Sequence, residues 1–254
     1  MHSADLRSWS EPLDPLPSLP AWAEVGHTWA PVVGRFGGRF VMYYTVRHAA
    51  SGRQCISLAT AASPGGPFLD ERDEPLVFQQ DRFGSIDPDL YTDGAERWLL
   101  WKSEDNAGGR PTSLWAQRLA SDGLALVGET VQLLEQAQRW QRGIIEGPAM
   151  VAAGQDLLLF YGGSDWSSAS AGIGYATCRS PLEPCFDRSR WGPWLGSRRG
   201  ALGPAGPAPF VDRDGVLRLA YHAWPGAVGY ERGGVRSLFI ATVQLDHRGR
   251  PTLV

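Results

Sequence analysis

Two carboxylates shortly ahead of prolines are the residues best placed to do chemistry in this chain. They are Asp87, in Ser85-Ile86-Asp87-Pro88, and Glu146, in Ile145-Glu146-Gly147-Pro148. Paired carboxylates across a cleft suit acid–base hydrolysis. One gives a proton to a leaving oxygen while another carboxylate acts as base or nucleophile. Either motif alone also suits the start of a strand, because Asp and Pro favour turns. Their recurrence at what read as equivalent places in a repeated unit favours the chemical reading. His222, at the end of an apolar run, either faces the same channel or is a hydrogen-bonded structural histidine. The tryptophans Trp29, Trp101, Trp166 and Trp224 are candidates for stacking on a flat ligand. The competing role for each is core packing, favoured for Trp101.

These residues need elements to position them, and the sequence supplies a repeat. Trp29-Ala30-Pro31, Ile86-Asp87-Pro88, Glu146-Gly147-Pro148 and Gly206-Pro207-Ala208 each open a run followed by a glycine-containing turn and a second apolar strand. Asp93-Gly94, between Leu90-Tyr91 and Trp98 to Trp101, is a strong hairpin signal. Tyr44, Trp101, Tyr161 and His222 end the second strands, at spacings of 57, 60 and 61 residues. Short strands and frequent turns predict an all-β fold, and four strands per unit of this length predict a β-propeller. The expectation is a single domain over residues 1–254: a five-bladed propeller with an incomplete first blade. Residues 1–28 would be the remnant of blade one, with further blades starting near 29, 86, 145 and 205.

Composition narrows the function classes. A net charge of −3 and the absence of a basic patch with interleaved aromatics argue against nucleic acid. No apolar run reaches the roughly 18 residues of a membrane helix. No charged segment leads into an apolar stretch at the N-terminus, so the chain as written reads as cytoplasmic, or as secreted if its true start lies upstream. The 31 glycines and 19 prolines demand many turns, and 11 tryptophans demand either large cores or stacking platforms. The cysteines are Cys55, Cys178 and Cys185; the last two could close a short loop as a disulfide, or all three could be free thiols. No Cys/His spacing of metal type is present, and no cofactor or metal is expected.

The ordered set Trp29-Ala30-Pro31, Ser85-Ile86-Asp87-Pro88, Ile145-Glu146-Gly147-Pro148 and Tyr221-His222-Ala223-Trp224 resembles glycoside hydrolase family 43 and its five-bladed relatives. Ser3-Ala4-Asp5-Leu6-Arg7-Ser8-Trp9 is similar to that family's Ser-x-Asp-Leu-x-x-Trp segment, and the match extends through Phe160-Tyr161, Trp166 and Gly172 to Cys185. The resemblance implies an inverting enzyme, arabinofuranosidase- or xylosidase-like, acting on arabinose- or xylose-containing carbohydrates. It implies Glu146 as general acid and Asp87 as the acid that orients Glu146 and raises its pKa by like-charge proximity. Trp29, Trp166 and His222 are candidates for sugar contacts, and the resemblance adds Arg236, with a plain surface arginine as the alternative.

The chain departs from the family pattern in three places. The family's general-base Asp lies N-terminal to the Ser-x-Asp-Leu segment, where this chain has no residues; Asp5 and Asp14 are poor substitutes. The family's Trp-Ala-Pro-Asp carries Val32 in place of its acid, and Gly203 to Ala208 lacks the polar residue that often faces the cavity. The expectation is therefore a glycosidase whose base is missing from this chain. The alternative is a catalytically inactive propeller that binds carbohydrate or serves structure alone.

Overall fold

Four antiparallel sheets follow one another along the chain in a computed structural model that describes residues 1–254. The first holds β1 (Ala23–Phe36), β2 (Arg39–His48) and β3 (Arg53–Ala61). The second holds β4 (Ser85–Asp93), β5 (Glu96–Ser103), β6 (Ser113–Leu119) and β7 (Leu126–Glu135). The third holds β8 (Ile145–Ala153), β9 (Asp156–Gly163), β10 (Gly172–Cys178) and β11 (Phe186–Asp187). The fourth holds β12 (Leu202–Val211), β13 (Leu217–Trp224), β14 (Ser237–Leu245) and β15 (Pro251–Leu253). This is a β-propeller of four blades, not five. The fifth blade was inferred from the leading segment, and residues 1–22 form no strand. Pro12, Pro15, Pro17 and Pro20 remove donors at short intervals there, so no ladder can run through them. Asp5 is consumed locally: its carboxylate accepts the backbone N–H of Arg7 and Ser8, each at 2.8 Å.

Apolar faces hold neighbouring blades together. Tyr43, Ile56 and Leu58 of the first sheet meet Leu99, Trp101 and Leu119 of the second. Trp98, Leu100 and Leu114 meet Ile145, Met150 and Tyr161 of the third. Phe160, Ile173 and Tyr175 meet Leu219, Tyr221 and Val243 of the fourth. Each such fully buried large side chain contributes roughly 1.5–3 kcal/mol. The other face of the first sheet, with Met42, Tyr44, Val46 and Phe68, is covered by Leu16, Leu19 and Trp22. The leading segment thus caps a blade face instead of building another blade. Its carbonyl at Pro15 accepts the Phe68 N–H at 2.7 Å, and Trp22 donates its indole N–H to the Arg72 carbonyl at 2.9 Å.

All four inner strands break register at one equivalent point. The shifts fall between Trp29 and Val32, Ile86 and Asp89, Glu146 and Ala149, and Ala205 and Ala208. Each contains an X-Pro pair whose first residue has positive φ: Ala30 (45°), Asp87 (55°), Gly147 (55°) and Gly206 (60°). Proline cannot donate to the ladder, so the pair bulges out of it. The bulge re-aims the flanking side chains toward the channel that the four inner strands surround.

This register corrects two sequence assignments. Asp87 is equivalent to Gly147, while Glu146 is equivalent to Ile86, so the two acids sit one position apart in the repeat rather than at matched places. The second strands align as Tyr44, Trp101, Tyr161 and Tyr221, all buried, the last three between blades and Tyr44 under the leading segment. His222 lies one residue further on. It shares its position with Thr45, Lys102 and Gly162, which pair with Trp29, Ile86 and Glu146 as His222 pairs with Ala205. Period-two alternation puts that second row on the channel side.

Candidate active site

A cavity of about 1100 Å³ opens at the bulges and takes lining residues from all four sheets, including Trp29, Asp87, Glu146, Trp166, His222 and Arg236. Six of the eight residues singled out from the sequence therefore share one cavity; Trp101 and Trp224 do not line it.

The acid pair is built by the bulges themselves. The left-handed backbone at Asp87 turns its N–H to the Thr45 hydroxyl, which accepts it at 3.0 Å. The Asp87 carboxylate then reaches across to β8, where Oδ2 accepts the N–H of Gly147 at 2.9 Å. Gly147 directly follows Glu146, so this bond fixes the spacing of the two acids. Gly147 has open space around it, the nearest atom to an added Cβ being 3.7 Å away, so its positive φ is the main reason for glycine there.

Lys102 completes the cluster and escaped the sequence reading. Its side chain is 2% exposed, and its Nζ lies 3.2 Å from Glu104 Oε1 and 3.6 Å from Glu146 Oε2. A lysine inside Trp98-Leu99-Leu100-Trp101-Lys102, directly after the residue equivalent to Tyr161, was the available signal. Glu104 and Asp89 also line the cavity.

Electrostatics separates the groups. Burial pushes the Glu146 carboxyl up to about 7; Lys102 opposes this, while the charges of Asp87 and Glu104 add to it. Burial also pushes Asp87 up, against the pull of Lys102 and the Gly147 N–H. Of the two, only Asp87 accepts a backbone hydrogen bond, which favours its ionised form and leaves the proton to Glu146. Asp89 is raised by burial to about 6, with the N–H groups of Leu90 and Met150 pulling the other way. Lys102 is raised despite its burial, because Glu146, Asp87 and Glu104 all favour its ammonium form.

The opposite wall carries Arg236 and His222. Arg236 donates to His222 Nδ1, to the Gly203 carbonyl at 2.7 Å and to the His222 carbonyl at 3.3 Å. Accepting at Nδ1 leaves the His222 proton on Nε2. Burial, followed by the Arg236 charge, lowers His222 to about 4, so the ring is neutral at pH 7. The Nε2 edge lies against Gly206, where an added Cβ would meet it at 2.5 Å.

The aromatic candidates divide cleanly. Trp29 and Trp166 line the cavity and are 42% and 40% exposed. Trp101 is core, its indole N–H donated to Gln79 Oε1 at 2.8 Å. Trp224 is fully buried with Tyr230 edge-on to it, so it offers no platform. The guanidinium of Arg236 lies over both Trp166 and Trp224, at 5.5 and 5.1 Å from the ring centres, and so is no plain surface arginine. The chain pairs Cys178 with Cys185 and leaves Cys55 free and buried. Neither Asp5 nor Asp14 lines the cavity.

A blade-built cavity with two neighbouring acids at its mouth is the layout of a propeller glycoside hydrolase, and comparison with known proteins agrees. The family described as "Glycosyl hydrolases family 43" matches residues 1–251, and the chain belongs to that family. Among solved structures, a thermostable family-43 glycoside hydrolase is 26% identical with a TM-score of 0.77, over 89% of this chain and 74% of that one. An exo-1,5-alpha-L-arabinanase from a bovine ruminal metagenomic library is 22% identical with a TM-score of 0.74, over 99% and 88%. An endo-1,4-beta-xylanase from Bacteroides thetaiotaomicron is 23% identical with a TM-score of 0.72, over 89% and 75%. A search of curated protein sequences gives no significant match.

Proposed function

We propose that this protein is a glycosidase of the family-43 type for arabinose- or xylose-containing oligo- and polysaccharides, in which Glu146 is the proton donor. The observation that carries the reading is the Asp87–Gly147 hydrogen bond, which sets one ionised acid beside Glu146. Burial and that neighbouring charge let Glu146 keep its proton near neutral pH. A protonated carboxylic acid at the cavity wall can protonate a glycosidic oxygen as the bond breaks. Asp87 orients and tunes Glu146. Trp29 and Trp166 offer exposed faces for sugar rings, and Arg236 and His222 supply donors on the opposite wall. The solved neighbours named for arabinan and xylan hydrolysis support this substrate class. Inversion at the sugar carbon is the outcome that the family resemblance implies.

A second reading, a propeller that binds such sugars without cleaving them, is favoured by the cavity wall itself. No residue of the first 22 reaches it, so none of Asp5, Glu11 and Asp14 stands ready to activate water.

Assay of the 254-residue chain on aryl α-L-arabinofuranosides and aryl β-D-xylosides, beside Glu146→Gln, separates the two. Release by the native chain that disappears in the variant supports the glycosidase. Sugar binding by calorimetry with no release supports the second reading. Undiminished release by Glu146→Gln removes Glu146 from the proton-donor role.

A further inference from the structure

Lys102 is an expensive residue to place where it is. Burying an ammonium carries a penalty of several kcal/mol unless close partners compensate it. The equivalent positions in the other blades are filled by Thr45, Gly162 and His222, so the fold does not require a long cation here. The neighbours explain the choice. Glu104 and Glu146 lie within ion-pair distance of Nζ, and Asp87 also acts on its charge. Asp87 already has a fixed donor in Gly147, whereas the Glu146 carboxylate has Lys102 as its polar partner.

We propose that Lys102 is a positioning residue for Glu146: its ammonium anchors Oε2 and serves as the counter-cation of the acid pair. This deepens the glycosidase reading and rests on Glu146 being the proton donor. Without the ammonium, three carboxylates would face one another in the cavity wall, and Glu146 would lose both its anchor and the only opposing charge in direct contact. The remaining charged groups around Glu146 do not replace it. Asp87 and Asp89 on β4 and Glu104 beyond β5 are acids. Asp165, after β9, is another acid on the cavity wall. On the far wall His222 is neutral at pH 7, and Arg236, whose charge Glu146 reaches and whose Nη1 has no partner, forms no ion pair with Glu146.

The test reads Glu146 itself. In full-length protein carrying carboxyl-¹³C glutamate, the Glu146 signal is identified by its loss in Glu146→Gln and titrated in the native chain, Lys102→Met and Lys102→Arg. Lys102→Met is expected to move the midpoint upward by at least about one pH unit, a tenfold gain in proton affinity, and Lys102→Arg to restore most of the native value. Glu104→Gln provides a route that does not remove the lysine. Taking away a competing acid is expected to move the midpoint downward. A midpoint that stays in place in folded Lys102→Met overturns the proposal, whatever Glu104→Gln shows. If Lys102→Met does not fold, an unmoved midpoint in Glu104→Gln alone overturns it. The pH profile of kcat/KM separates this inference from the reading beneath it. A native chain without turnover whose Glu146 still shifts in Lys102→Met supports the counter-cation and defeats the glycosidase. Turnover with the same alkaline limb in native protein and Lys102→Met defeats the role of Lys102 alone.

Discussion

On one side of the cavity, β4 and β8 carry Ile86-Asp87-Pro88 and Glu146-Gly147-Pro148, with Lys102 opposite the first. On the other side, β1 and β12 carry Trp29-Ala30-Pro31 and Ala205-Gly206-Pro207, with Thr45 and His222 opposite. The backbone device is the same in all four: a positive φ, a proline and a bulge. What differs is the side chains it aims. The second and third blades aim charge, and burial and crowding raise the proton affinity of Glu146. The first and fourth aim an aromatic face and a neutral imidazole. The difference teaches that the blade repeat makes a mouth, and that single residues at the bulge decide what the mouth can do.

That contrast can be broken most forcefully at Glu146. Glu146→Gln is expected to lower kcat by about 10³-fold, within the usual range for loss of a general acid, while the protein stays folded. Kinetics with circular dichroism as a control checks this.

The two sides should also titrate in opposite senses. Glu146 binds its proton more tightly when folded, so between about pH 4.5 and 7 the folded state holds more protons and stability falls as pH rises. His222 binds its proton less tightly when folded, so its contribution is present above pH 6.5 and is lost as pH falls toward 4. Urea unfolding across this range is expected to show Glu146→Gln removing a decline on the order of 1–3 kcal/mol. His222→Gln is expected to flatten the acid side instead.

Substitution at the bulges sharpens the comparison further. Gly206→Ala meets His222 Nε2 and keeps an unfavourable φ, so it should destabilise by about 2 kcal/mol. Gly147→Ala has room and bears the backbone strain alone, about 1 kcal/mol. Thermal unfolding of both reads the difference. The smallest effect belongs to the rim: Trp166→Ala should raise KM several-fold with little change in kcat, as for a contact equally strong in ground and transition states.

Much of this was legible before any coordinates. The turn at Asp93-Gly94, the apolar runs and the X-Pro repeats specify antiparallel blades through local rules of strand and turn chemistry. Asp87, Glu146, Trp29, Trp166, His222 and Arg236 were all picked out from the chain and all line one cavity. Blade number was not legible, because a proline-rich segment that caps a blade and a fragment of a blade look alike without its partners. Register was misjudged by one residue at His222 and at the acids, because a bulge adds a residue that periodicity does not mark. Lys102 was missed for a related reason. A cation at a strand end reads as solvated until the opposing carboxylates of other blades are brought to it, and that juxtaposition is wholly non-local.

The central claim, that Asp87 tunes a proton-donating Glu146, is tested most directly by the pH dependence of kcat in the native chain and in Asp87→Asn. Glu146 must carry its proton to act, so the native rate should fall as pH rises through about 7. Removing the neighbouring negative charge lowers the proton affinity of Glu146, so the fall should begin about one pH unit lower in Asp87→Asn. An alkaline limb that stays where it was, with kcat otherwise measurable, would contradict the account.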